Sequence, residues 1–161
     1  MKKTKNLLLL VTVLLTFLLQ AQDRESIANV YLGIGGRADG LKIKTPAIYG
    51  SYEHFIKNNL SLGGIVGYSK LTLEASGLFG NTEDTNTTNI VVGGLMNYYF
   101  YQTDSFEVYS LLTLGYGSGL TGGFLYQVGA GGRYKLSDSL FLNSELGVGL
   151  SVLKVGISFH I

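Results

Sequence analysis

Leu153-Lys154-Val155-Gly156-Ile157-Ser158-Phe159-His160-Ile161 alternates strictly between two kinds of residue. Positions 153, 155, 157, 159 and 161 are aliphatic or aromatic, while Lys154, Gly156, Ser158 and His160 are polar or lack a side chain. Successive side chains of a β-strand point to opposite faces, so this stretch carries one unbroken apolar face and one small or polar face. Which of the two faces meets water decides what kind of protein the chain is.

The other end sets the compartment. Lys2, Lys3 and Lys5 precede an apolar core from Leu7 to Leu19, and Ala21 is a small residue of the kind a signal peptidase cuts after. That order of basic, apolar and cleavage regions predicts a signal peptide over residues 1–21, Sec-dependent export, and a mature domain over 22–161. The apolar core falls short of the ~20 residues that cross a bilayer as a helix, which argues against a retained anchor. Cysteine is absent, so neither a lipoprotein attachment site nor a disulfide is available.

One domain is expected from the length of the mature segment. The composition of the whole chain does not suit a water-soluble surface: 46% of residues are hydrophobic and 14% charged, with 23 Gly and a single Pro. Soluble domains carry about 25% charged residues. No mature segment is apolar for long enough to cross a membrane as a helix. Strands closed into a barrel are the other structure that satisfies its own backbone hydrogen bonds in lipid, and the composition points there. A formal net charge of +1 offers no basic surface for nucleic acid.

Period-two segments recur along the mature chain and predict eight strands, near 27–36, 46–56, 60–72, 88–100, 105–116, 124–136, 139–149 and 153–161. Ile90, Val92, Gly94, Met96, Tyr98 and Phe100 oppose Asn89, Val91, Gly93, Leu95, Asn97 and Tyr99. Helical periodicity is absent after the leader. The connections at 57–59, 102–104 and 137–139 are tight and polar, whereas those at 37–45, 73–87 and 117–123 are longer and rich in Gly, Thr, Asn and Asp. Short turns alternating with long loops are the asymmetry of a transmembrane barrel with periplasmic turns and extracellular loops. The connection at Leu150-Ser151 is short and is expected to mark a low point on the outer rim.

A soluble barrel would satisfy the same alternation with its apolar face inward. Its exterior would then consist of Gly, Ser, Asn and Tyr with few ions, which is unlike soluble barrels. Aromatic residues also collect near strand ends: Phe55, Tyr98, Tyr99, Phe100, Tyr101, Phe106, Tyr134 and Phe159 on the turn side, and Tyr68, Tyr116, Phe124 and Tyr126 toward the loops. Two such bands match the girdles that hold a barrel at headgroup level.

By parity the charges within strands face the lumen: Glu53, Glu107, Arg133, Glu145 and Lys154. Pairing Tyr116 with Phe124 places Glu107 opposite Arg133, and the three-residue turn at 137–139 places Asn143 opposite Arg133, with Glu145 diagonal to it. A two-residue turn at Leu150-Ser151 would bring Lys154 diagonal to Glu145. A continuous chain of alternating charges is therefore expected in an interior just wide enough for side chains to fill, a plug rather than a pore lining.

Segments such as Pro46-Ala47-Ile48-Tyr49-Gly50-Ser51-Tyr52-Glu53 and Leu60-Ser61-Leu62-Gly63-Gly64, together with the leader, strand count, loop asymmetry and last strand, resemble the small outer-membrane β-barrel superfamily that includes OmpX and the transmembrane domain of OmpA. The resemblance spans residues 23–161. It implies an eight-stranded antiparallel up-and-down barrel, monomeric, in the outer membrane of a Gram-negative bacterium among lipid and lipopolysaccharide. It also implies delivery by periplasmic chaperones and insertion by the barrel assembly machinery, which in this family reads the last strand; Ile157, Phe159 and Ile161 would be that signal. The usual terminal Phe is replaced here by Ile161, with Phe159 one outward position earlier. The peptidoglycan-binding domain of OmpA has no counterpart in this sequence.

Some small barrels modify lipid A, which requires a nucleophile and a base near the outer leaflet. His54 and His160 are the available imidazoles, and both fall near the turn ends of their strands, so no catalytic residues, cofactor or metal are expected. Gly117-Ser118-Gly119-Leu120-Thr121-Gly122 fits G-x-G-x-x-G but is followed by a strand rather than a helix, so the phosphate-cradling mechanism fails. Asn81-Thr82-Glu83-Asp84-Thr85-Asn86 offers oxygens without a fixed geometry and reads as a solvated loop tip. The leading expectation is a non-enzymatic surface scaffold whose loops, chiefly 73–87 and 37–45, contact envelope components or an unidentified surface ligand. The alternatives are a narrow channel for small solutes and an enzyme acting on lipid.

Overall fold

The computed structural model describes residues 26–34, 37–38, 41–43, 46–74, 84–118 and 123–161. The expected signal peptide lies outside them. Ten strands are present among the described residues: β1 (Ser26–Ile34), β2 (Arg37–Ala38), β3 (Leu41–Ile43), β4 (Ala47–Lys57), β5 (Leu60–Glu74), β6 (Asp84–Gln102), β7 (Phe106–Gly117), β8 (Gly123–Lys135), β9 (Leu140–Gly149) and β10 (Leu153–His160). Eight of them form the wall, each antiparallel to the next, in the order β1-β4-β5-β6-β7-β8-β9-β10. β10 pairs back onto β1, from Ile27 opposite His160 to Ile34 opposite Leu153. The backbone amides of Ser26 and Ile161 complete the seam by donating to each other's carbonyls at 3.1 and 2.8 Å. The wall is a closed eight-stranded barrel with no free edge.

Side-chain direction follows the parity of the sequence. Val30, Leu32, Ile48, Val66, Val92, Leu146, Val148, Ile157 and Phe159 face outward, whereas Asn29, Glu53, Ser61, Asn97, Glu107, Gln127, Arg133, Asn143 and Ser158 are buried inside. Phe159 is 41% exposed and Arg133 0%. The exterior is therefore the greasy surface and the interior the polar one, the inverse of a soluble barrel. Two apolar clusters occupy the interior: Ile27, Phe55, Tyr99, Tyr109 and Leu111 toward the turns, and Tyr31, Ala47, Tyr49 and Ile65 toward the loops.

Several sequence expectations require correction. Phe55 and Tyr99 point into the barrel, so they belong to its core and not to the turn-side girdle. Bulges near the turns, between Phe55 and Lys57 and between Tyr99 and Tyr101, insert an extra residue and reset the alternation. As a result Phe100 and Tyr101 both face outward despite being adjacent. The stretches 37–45 and 73–87 are not simply loops. β2 and β3 form a short hairpin, β3 pairs with β5, and β5 and β6 continue as a hairpin to Glu74 opposite Asp84. Thr85 and Thr87 are β-branched residues that suit a strand, but beyond the lipid the apolar alternation that announces a strand is not required.

The β9–β10 connection also departs from expectation. Lys154 pairs directly with Glu145, two positions from the register that a two-residue turn would impose. Gly149 takes φ +123°, a conformation that L side chains rarely adopt, and lets Leu150 and Ser151 fold into the barrel mouth, where both are buried. A shift of two preserves which face each residue occupies and changes only its partner.

The lipid-facing wall yields a direct test. Leu146 faces outward opposite Ala130, which lies midway along β8 between the aromatic bands at Tyr126 and Tyr134. Leu146→Arg should destabilise the barrel in phosphatidylcholine vesicles by roughly 2–4 kcal/mol, read from equilibrium denaturant titration. Leu146→Phe should leave stability within about 1 kcal/mol.

Candidate functional site

Arg133 is the centre of the interior. It sits on β8 facing inward, and counting around the ring through β9, β10 and β1 reaches β4, the strand diametrically opposite. From that far wall Glu53 meets the guanidinium: Arg133 Nη2 donates to Glu53 Oε1 across the lumen. Arg133 Nη1 donates to the Tyr99 hydroxyl, and to Glu107 Oε2 at 3.4 Å, while Nη2 reaches Asn29 Oδ1 at 3.4 Å. The guanidinium carbon also stands 4.6 Å from the centre of the Tyr109 ring and 5.5 Å from that of Tyr99, within cation–π range. A planar group with five donors is suited to this many partners in one place.

Glu53 is equally well supplied. Its Oε2 accepts from Ser61 Oγ at 2.5 Å, Asn97 Nδ2 at 2.8 Å and the Tyr99 hydroxyl at 2.8 Å, and its Oε1 accepts from Asn29 Nδ2 at 3.1 Å. A carboxylate removed from water is stable only with such a set, because desolvating an unpaired ion costs several kcal/mol. The donors come from β1, β5 and β6, so one acid ties together four strands of the wall.

A second pair lies nearer the loops. Lys154 Nζ contacts Glu145 Oε2 at 3.0 Å, and the ammonium stands 5.5 and 5.3 Å from the ring centres of Tyr31 and Tyr49. Tyr109 joins this pair to the first: its ring packs under Arg133, and its hydroxyl donates to Glu145 Oε1 at 3.0 Å. Tyr109 has room for this because Gly131 faces it, where a Cβ would lie 2.5 Å from the ring. A cavity of about 10 Å³ remains between Tyr31, Ser51, Leu95, Asn97, Thr113 and Lys154, space for at most one water. Above it the mouth is narrowed by Tyr49, whose hydroxyl donates to the Leu150 carbonyl at 3.3 Å and lies 3.1 Å from Ser151 Oγ.

The five charged residues read from the sequence are thus all inside, but in a different arrangement. The expected contacts of Arg133 were Glu107 and Glu145. The register does place Glu107 and Asn143 opposite Arg133, yet Glu145 turns to Lys154, and Glu53 takes the principal place at Arg133. Two clusters joined through a tyrosine replace the single chain of charges. Glu53 was hidden as a partner because contacts across a lumen leave no trace in turn lengths. Strand counting could have found it, since strands four apart in a ring of eight face each other.

The histidines stand at the turn end. His160 stacks on Phe141 with ring centres 4.1 Å apart, inside the barrel. His54 Nδ1 lies 2.9 Å from Ser26 Oγ, which also accepts from the Tyr52 hydroxyl at 2.8 Å. Among the described residues the third member of that group is a phenol on the serine, and no hydrogen bond from a carboxylate to the imidazole is present.

A closed ring of eight antiparallel strands, apolar outside and polar inside, defines the fold of the small membrane-spanning β-barrels. Solved structures share this fold. The outer membrane protein Ail of Yersinia pestis, in a phospholipid bilayer nanodisc, matches at 16% identity with a TM-score of 0.53 over 86% of this chain and 99% of that one. The de novo designed barrel TMB2.3 matches at 22% identity and a TM-score of 0.52, covering 87% and 98%. The N-terminal barrel domain of OprF from Pseudomonas aeruginosa matches at 15% identity and a TM-score of 0.50, covering 85% and 97%. At these identities the likeness is one of fold. No protein-family model matches the chain, and no curated protein matches it by sequence.

Arg133→Met removes the cation and leaves Glu53 and Glu107 without it. The barrel should lose about 3–5 kcal/mol in detergent or vesicle unfolding titrations. Adding Glu53→Gln should restore part of that loss, since the amide keeps the shape without the unpaired charge, and the coupling is read from the double-mutant cycle.

Proposed function

We propose that this chain is a non-enzymatic outer-membrane protein whose barrel is a scaffold for the extracellular sheet and loops. The lumenal packing supports this reading most directly: Arg133 bridges the full width of the barrel to Glu53, and the cavity between Tyr31, Ser51, Leu95, Asn97, Thr113 and Lys154 has space for at most one water. A barrel filled in this way is a support, not a conduit. The fold shared with Ail and OprF supports the membrane, and the segments beyond the wall are where contacts with lipopolysaccharide and a surface ligand would be made. Export through the Sec pathway after cleavage of residues 1–21, escort by periplasmic chaperones, insertion by the barrel assembly machinery and a monomeric state complete the proposal.

Reconstituted into planar bilayers, the protein should give no discrete conductance at moderate voltage, and lipid A from cells expressing it should show an unchanged mass spectrum. Steady conductance steps would establish the narrow-channel alternative, and altered acylation would establish an enzyme.

The assembly role of the last strand has a separate test. Ile157, Phe159 and Ile161 lie outward on the closing strand. Phe159→Ala combined with Ile161→Ala should reduce the folded, heat-modifiable form in outer-membrane fractions several-fold. The same variant refolded from urea into detergent should reach wild-type yield. Equal loss in both settings would assign these residues to stability alone.

A further inference from the structure

The cavity inside the plug is bordered by more hydrogen-bonding groups than the surrounding side chains use. Lys154 on β10 is 1% exposed, and an ammonium carries three N–H donors. One of them meets Glu145 Oε2 at 3.0 Å. The ring faces of Tyr31 and Tyr49, 5.5 and 5.3 Å from Nζ, temper the charge but offer no oxygen to the other two. Thr113 on β7 is 3% exposed and lines the same cavity, and its hydroxyl has no hydrogen-bond partner among the described residues. Ser51 on β4 accepts from Asn29 Nδ2 at 3.0 Å, which leaves its own hydroxyl proton available to an acceptor.

These three groups stand on strands of which no two are neighbours in the ring, and no hydrogen bond joins any pair of them directly. They converge on one small space, whose remaining lining includes the apolar side chains of Ile65, Leu95 and Leu111. Its volume of about 10 Å³ is that of a single water. The chemistry narrows the occupant further. A cation would be repelled by the ammonium, an apolar molecule would leave its N–H groups unmet, and an anion larger than water would not fit.

We propose that this cavity is the binding site of one resident water molecule, which accepts from Lys154 Nζ and Ser51 Oγ and donates to Thr113 Oγ1. Three partners are the usual number for a buried water. The molecule gives the plug a second connection between its two charge clusters. Tyr109 joins them on one side; on the other, the water leads from Lys154 through Ser51 to Asn29, which contacts both Arg133 and Glu53. An otherwise unmatched threonine in the middle of the lumen thereby acquires a role.

The test is a crystal structure of the mature chain, grown from a lipidic mesophase and refined at a resolution that shows ordered solvent. The wild-type map should hold one peak about 2.7–3.2 Å from both Lys154 Nζ and Thr113 Oγ1. Thr113→Val replaces the acceptor by a methyl group that also takes up part of the space, and the peak should be lost. Thr113→Ser keeps the hydroxyl and should keep the peak. A wild-type map without the peak would overturn the proposal, as would a Lys154 ammonium bonded directly to Thr113 Oγ1, or a peak of undiminished height in Thr113→Val. Should the valine variant fail to fold, the wild-type and serine maps decide the matter.

Discussion

A backbone amide facing hydrocarbon without a partner costs several kcal/mol, and this constraint shapes the whole molecule. It forbids a sheet edge in the bilayer, so β10 must return to β1, and the seam is bonded along the length of both strands. Closure with eight strands then sets the width of the interior, too narrow for a water-filled channel and wide enough for one layer of side chains from each wall. The scarcity of charge follows as well. An ion on the outer surface would meet lipid, so the wall admits ions only inward, and only where partners can be built around them.

The lumen shows how that is done. A group that must be paired across the barrel needs length and several donors, which Arg133 has, and an acceptor saturated from several strands, which Glu53 becomes. Tyrosines supply the rest, offering ring faces to the cations and hydroxyls to the acids from one side chain. Their bulk requires space, and glycines on neighbouring strands provide it: Tyr109 lies against Gly131, and a Cβ at Gly67 would come within 2.4 Å of the Tyr49 ring. The abundance of glycine in a chain of strands, unfavourable in an ordinary sheet, is thus part of the packing.

Much of this was legible from the alternation alone. Parity is a local property with period two, so Leu153–Ile161 or Asn89–Phe100 reveal their faces without any knowledge of their neighbours. The tight turns next carry register from one strand to the next, which is why Glu107, Arg133 and Asn143 could be aligned. The reading failed where information is not local. Glu53 meets Arg133 across a lumen spanned by no turn, Lys154 slipped by two because Leu150 and Ser151 fold inward, and bulges reset the phase at Tyr101. The upper strands escaped for another reason: beyond the lipid nothing demands that apolar and polar residues alternate, and Thr85–Thr87 read as loop.

The two ends of the barrel therefore answer to different physics. At the turn end the connections are short, and polar groups there are tied to one another, as in Ser26, Tyr52 and His54. At the loop end, β5 and β6 remain paired past the last rung that β6 shares with β7, and β2 and β3 add to the same sheet, so among the described residues paired backbone extends beyond the lipid on that side of the ring. Outside hydrocarbon no backbone rule requires that extension, since water would satisfy the same amides.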